Sequence, residues 1–169
     1  ELVATLNDKH PMVRRYGDVS GLVLAASALL QDQTPNIRGM VEMDKKQLLA
    51  NWPKLERGLE RMASFLEGQR VFDETRLPTN AVLAVIAAAY ELIPDNGDFL
   101  AKAEKLLSRY LWSAFFSDRY ENAAPTRAFA DFKAIFGNKA LHCGLISRQE
   151  HRHWVNVIGT DYELIEWDD

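Results

Sequence analysis

Residues 106–136 combine arginines with many aromatic side chains. No other stretch of the sequence has residue types so well suited to binding chemistry. Arginine and lysine bind phosphate oxygens, while aromatic rings stack on unpaired bases. The stretch is locally basic within an acidic protein, so it is a candidate nucleic-acid-binding surface. Its candidate phosphate contacts are Arg109, Arg119, Arg127 and Lys133.

The same residues also fit a purely structural role. Arg109 lies one helical turn before Trp112, so its aliphatic stem can pack on aromatic surface. Arg127 and Asp131 are four residues apart, which is the spacing of an ion pair on one helix. We favour this interpretation, in which ion pairs hold a loop between two helices. The predicted structural motif consists of Trp112, Tyr120, Glu121 and Asp131.

The remaining polar residues form no recognisable catalytic or metal-binding pattern. The sequence has no glycine-rich phosphate loop, no G-x-S-x-G and no H-E-x-x-H. The nearest approach to a metal cluster, whose spacing fits no zinc template, is His142, Cys143, His151 and His153. We interpret these as exposed histidines and a small buried thiol. We therefore predict no catalytic residue, no metal and no cofactor.

The composition is that of an ordinary globular chain, with 47% hydrophobic and 26% charged residues. The net charge of −4 argues against a generally basic, nucleic-acid-coating protein. One cysteine allows no internal disulfide, which fits a cytoplasmic location. The longest apolar run, residues 81–93, contains Glu91 and is too short to span a bilayer, so we predict a buried core helix and no membrane association.

Hydrophobic periodicity predicts an all-α fold, an irregular bundle of about six to seven helices in a single domain over residues 1–169. Residues 43–68 have an amphipathic pattern in which Pro53 either kinks the helix or starts a second one. Thr34, Pro35, Asn36 and Gly39 are typical of a loop. The sequence begins with Glu1 and ends in an acidic tail, and we interpret it as a fragment of a larger multi-domain protein.

Four different short motifs follow one another between residues 77 and 136. They are Leu77-Pro78 before an apolar helix, then Arg109-Tyr110-Leu111-Trp112, then Arg119-Tyr120, then Thr126-Arg127 followed by Asp131 and Phe132. This part of the chain resembles the helical region of the ParB-like, GmrSD-type proteins, a bacterial family linked to restriction and phage defence. The resemblance implies a parent protein that is an NTP-dependent endonuclease with further domains.

No catalytic residue carries over from that family to this chain. Its ParB-like domain has an Asp-Gly-Gln-Gln-Arg type motif, which nothing here matches. Its HNH-type nuclease domain has a His-x-x-Pro-like metal motif, and His151-Arg152-His153 does not match it either. The resemblance therefore implies a helical region beside the active modules.

Three functions remain open at this point. The first is a non-catalytic helical module that packs against a ParB-like domain of the same parent chain. The second is a nucleic-acid-binding module, with DNA as partner, that uses the arginine and aromatic patch. The third is a small-molecule-binding helical bundle, which no convergent polar set supports.

Overall fold

The computed structural model describes residues 1–142 of the chain. This part contains eight α-helices and no strand, with short 3-10 turns at Val13–Tyr16, Glu74–Arg76 and Asp118–Tyr120. The helices are α1 Leu2–Lys9, α2 Val19–Leu30, α3 Ile37–Glu42, α4 Lys45–Ala50, α5 Trp52–Gly68, α6 Ala81–Leu92, α7 Asp98–Phe115 and α8 Ala124–His142. The predicted all-α multi-helix bundle is confirmed.

Helix α6 is the centre of the bundle. Every residue from 82 to 90 is buried, because the helix is apolar on all sides and neighbours surround it. It packs against α2, α5 and α8, and its contact with α5 is the most extensive between any two described helices. The prediction of a buried core helix is therefore confirmed. No helix within residues 1–142 combines the length and the apolar content that crossing a bilayer requires.

Pro53 starts a new helix. The amphipathic segment divides into α4 and α5, and Pro53 lies in the first turn of α5, where its missing N–H removes no helical hydrogen bond. The buried face of α5 carries Leu55, Leu59 and Met62 at the spacing that the sequence predicted. This face packs against α6 and leaves the charged side in solvent.

The predicted loop at residues 34–39 is wrong in its second half, because Ile37–Glu42 forms helix α3. The Asn36 side chain accepts a hydrogen bond from the Gly39 N–H at 2.9 Å, which satisfies a donor in the first turn. Gly39 is required because a Cβ there would overlap the backbone of Thr34. In the sequence Gly39 is typical of a loop. Its lack of a side chain instead allows the backbone at Thr34 to lie directly against α3.

Candidate functional site

The end of α7, the 3-10 turn and α8 meet at a corner, which we define by Tyr110, Arg119, Tyr120 and Asp131. Tyr110 and Asp131 have no solvent exposure, and Tyr120 is buried. The Tyr110 and Tyr120 hydroxyl oxygens are 2.5 Å apart, and Tyr120 donates to Asp131 Oδ2 at 2.5 Å. This chain of hydroxyls delivers a hydrogen bond to a buried carboxylate.

Arg119 neutralises that carboxylate. Its Nε donates to Asp131 Oδ1 at 2.9 Å and to Oδ2 at 2.8 Å, and its second nitrogen also binds Oδ1. A guanidinium that grips both oxygens is the strongest form of this pair. Arg127 donates to the backbone carbonyl of Arg119, which ties α8 to the turn. The corner contains Tyr120 and Asp131 of the predicted motif, whereas Trp112 bonds to Gln69 and Glu121 is exposed. Asp131 pairs with Arg119 from the turn, although the four-residue spacing pointed to Arg127.

The surroundings of Tyr120 favour its neutral form. Burial, followed by the nearby Asp131 carboxylate, raises the pKa of Tyr120 far above that of a free tyrosine. Tyr120 therefore stays protonated, donates its hydrogen bond to Asp131 and accepts one from Tyr110. A buried carboxylate saturated by Arg119 and Tyr120 is suited to holding helices together, because its lone pairs are already used.

The candidate phosphate contacts occupy different environments. Lys133 forms an ion pair with Asp32 and lies 5.5 Å from the centre of the Phe129 ring. Arg119 and Arg127 are bound within the corner. Arg109 is exposed on α7, and Glu121 is exposed beyond the turn. Lys133, Arg119 and Arg127 therefore contribute to contacts within the protein, and Arg109 lies at the protein surface.

An open groove of about 590 Å³ runs between α5 and α7. Three cationic residues and one carboxylate, Glu104, line it together with neutral polar and aromatic groups. The lining includes Arg61, Gln69, Tyr90, Glu104, Lys105 and Arg109.

Arg61 forms the fixed end of the groove. It donates to the carbonyls of Tyr90, Ile93 and Pro94 at 2.8 to 3.1 Å and to Asp95 at 3.1 Å. These bonds satisfy carbonyls at the end of α6, where a positive charge is also favoured. The guanidinium carbon lies 4.5 Å from the centre of the Tyr90 ring. Sequence reasoning missed Arg61 because nothing in the local pattern links it to residues about thirty positions away.

Trp112 lies beside the groove and is held there by α5. Its indole N–H donates to Gln69 Oε1 at 3.0 Å, and the Ser108 hydroxyl donates to the same oxygen at 2.8 Å. Phe116 stacks on Trp112 with ring centres 5.9 Å apart and planes inclined by 19°. We call Trp112 and Phe116 the aromatic pair. The sequence indicated Trp112 but not its partner Gln69, since a glutamine after a helix end has no distinctive pattern.

Within the described residues, no group of three or more histidine, cysteine, aspartate or glutamate side chains is arranged to hold a metal ion. His10, at the end of α1, lies 3.0 Å from Glu56 and 3.5 Å from Glu60 and so joins α1 to α5. The side chains of His142, Cys143, His151 and His153 lie outside the part of the chain that the structure describes.

No family model, no curated protein and no solved structure matches this chain.

Proposed function

We propose that this chain is a non-catalytic helical module of a multi-domain bacterial protein of the restriction and phage-defence type. In this role it packs against a ParB-like domain of the same parent chain. The proposal rests on the sequence resemblance over residues 77–136 and on one surface feature of the fold. The corner is compatible with it, because the charged residues of the resembling segment serve to join helices.

The observation that carries the proposal is the outward apolar side of α3. Ile37 is 83% exposed and Val41 is 73% exposed. They are four residues apart and therefore adjacent on one face of the helix. Gly39, two residues from each, is buried on the opposite side. Two large aliphatic side chains exposed side by side form an apolar patch that a protein partner can cover.

The experiment measures binding between this chain and the separately expressed ParB-like domain of its parent protein by calorimetry. The double variant Ile37→Ser/Val41→Ser should weaken the complex by at least about tenfold, since central apolar contacts dominate such interfaces. Its melting temperature should stay unchanged, because both residues are exposed in the free chain. Arg14→Ser, on another exposed part of the surface, is the matched control and should bind normally.

Three results would contradict the proposal. The first is a parent reading frame that encodes no ParB-like domain, since the proposed partner would then not exist. If the double variant binds as tightly as the original chain, the exposed side of α3 is not the interaction surface. Robust nucleotide hydrolysis or DNA cleavage by the isolated chain contradicts a non-catalytic module.

A further inference from the structure

One face of α7 changes from basic to aromatic along its length. Lys105, Arg109 and Trp112 of α7 and Phe116 directly after it follow one another at steps of four, three and four residues, so they form a single stripe. The stripe is roughly 16 Å long at 1.5 Å per residue. Lys105 and Arg109 line the groove, and the aromatic pair continues beyond it.

The aromatic pair is unusual because it is presented to solvent. Phe116 is 84% exposed and Trp112 is 38% exposed. The two rings are nearly parallel, and Phe115 packs edge-on against Trp112 at 5.7 Å between ring centres. Gln69 and Phe115 hold Trp112, and the Phe116 ring stacked on it presents a face that the core does not use. Such a face binds another flat ring by stacking.

Several polar side chains of the groove are already ordered by hydrogen bonds. Gln69 fixes both Ser108 and Trp112, and Arg61 is fixed by the end of α6. Ordered side chains lose little conformational entropy when a ligand binds. Lys105 and Arg109 place two positive side chains in the lining beside the carboxylate of Glu104, while the charge of Arg61 is paired with Asp95.

We propose that this face of α7 binds a segment of single-stranded nucleic acid. Lys105 and Arg109 contact its phosphates, and the aromatic pair stacks on an unpaired base. Phosphate binding by the cations and base stacking by exposed rings is the chemistry by which proteins hold single strands. A duplex does not fit this arrangement, because its bases already stack on each other and their faces are covered. The site lies on α5 and α7, so it is separate from the α3 surface.

Fluorescence anisotropy with a labelled deoxythymidine oligomer of about twelve nucleotides tests the proposal in the complete chain. We expect binding at low salt that weakens steeply as salt rises, because bound phosphates release counterions. Thymidine monophosphate and a duplex of the same length are the competing ligands. Both should compete much less well than the oligomer.

Phe116→Ala isolates the stacking contribution. It should weaken oligomer binding by about tenfold, within the range for losing one aromatic–base stack. The melting temperature should not change, since the ring is mostly exposed. Phe116→Tyr keeps an aromatic face and should retain binding.

Lys105→Gln/Arg109→Gln isolates the phosphate contacts. Losing two of them should reduce the slope of log affinity against log salt by about 1.4 for a single strand. Lys45→Gln/Lys46→Gln on α4 removes the same charge from another exposed surface and is the matched control.

Four outcomes would overturn the proposal. They are no binding at low salt, full binding by Phe116→Ala, an equal loss in the α4 control, or competition by the mononucleotide or the duplex that matches the oligomer. The last outcome would assign the groove to a free nucleotide or to a double helix.

Discussion

Asp131 shows how a single buried charge organises its surroundings. Its carboxylate has no solvent exposure, so its desolvation must be offset by charge and hydrogen bonds from the protein. Arg119 supplies the charge, and Tyr120 supplies a further hydrogen bond. The partners come from the turn that precedes α8, so the carboxylate fixes the turn against the helix. Removing one member leaves the others without their partner.

Asp131→Asn should destabilise the fold strongly. Breaking a buried ion pair on one side costs about 3–5 kcal/mol, because the remaining charge is left uncompensated. For a chain of this size the melting temperature should fall by roughly 6–20 °C. Thermal melts followed by the circular dichroism signal of the helices measure this melting temperature. Glu121→Gln, an exposed carboxylate in the same segment, should melt like the original chain, and equal melting of both variants would contradict the role of Asp131.

Glu91 is the opposite case, because its carboxyl group is partly buried without enough hydrogen bonds and opposite charge to offset the desolvation. Its Oε2 is buried and has no hydrogen-bond partner among the described residues. Burial raises the pKa of Glu91, and this effect exceeds the opposing influence of Lys54 and Arg57. The folded chain therefore holds this proton more tightly than the unfolded chain. Stability consequently falls as pH rises from the usual glutamate pKa through the raised one.

Glu91→Gln should remove that pH dependence. At neutral pH the variant should melt a few degrees higher, because no charge remains to be desolvated. Below the usual glutamate pKa the two proteins should melt alike, since Glu91 is then neutral in both folded and unfolded states. Thermal melts over a series of pH values provide the measurement. A variant that is less stable at neutral pH would show that the attraction of Glu91 to Lys54 and Arg57 outweighs its burial.

At the scale of elements, the contact between α5 and α6 depends on a glycine. A Cβ on Gly58 would lie 2.7 Å from the backbone oxygen of Ala87, in the middle of α6. A backbone oxygen within a packed helix cannot turn aside as a flexible side chain can. The absence of a side chain at Gly58 therefore sets how closely the two helices approach.

Gly58→Ala should separate α5 from α6 and destabilise the protein by about 1–3 kcal/mol through overpacking, although alanine is the better helix former. Gly68→Ala is the matched control, since nothing lies within 4 Å of its added Cβ. That variant should be neutral or slightly more stable. Urea denaturation of both measures the difference, and equal stabilities would mean that α5 shifts without cost.

Over the whole molecule, local patterns in the sequence predicted the elements better than the contacts between them. The apolar run of α6, the break at Pro53 and the position of the corner follow from periodicity and helix-start rules. These features depend on neighbours within one or two helical turns. The segment of α3 was misread because the reason for Gly39 is a backbone contact that no local pattern reveals.

The candidate groove was the least predictable part. Gln69 and Trp112 are 43 positions apart, and Arg61 and Tyr90 are 29 apart, so only the packing of α5 and α7 around α6 brings them together. Lys133 was a candidate phosphate contact because it is basic, yet it pairs with Asp32, which lies just after the end of α2. Residue type indicates what a side chain can bind, whereas the tertiary fold decides what it meets.

The corner has a consequence for how such a sequence can change over evolutionary time. Losing Arg119 or Asp131 alone leaves a buried charge unpaired, but replacing both with well-packed apolar residues can be nearly neutral. Intermediate sequences with one change are therefore selected against, and the pair is inherited or lost together. Related chains should show Arg119 and Asp131 as a covarying pair twelve positions apart, and this pair is a sharper marker of descent than either residue by itself.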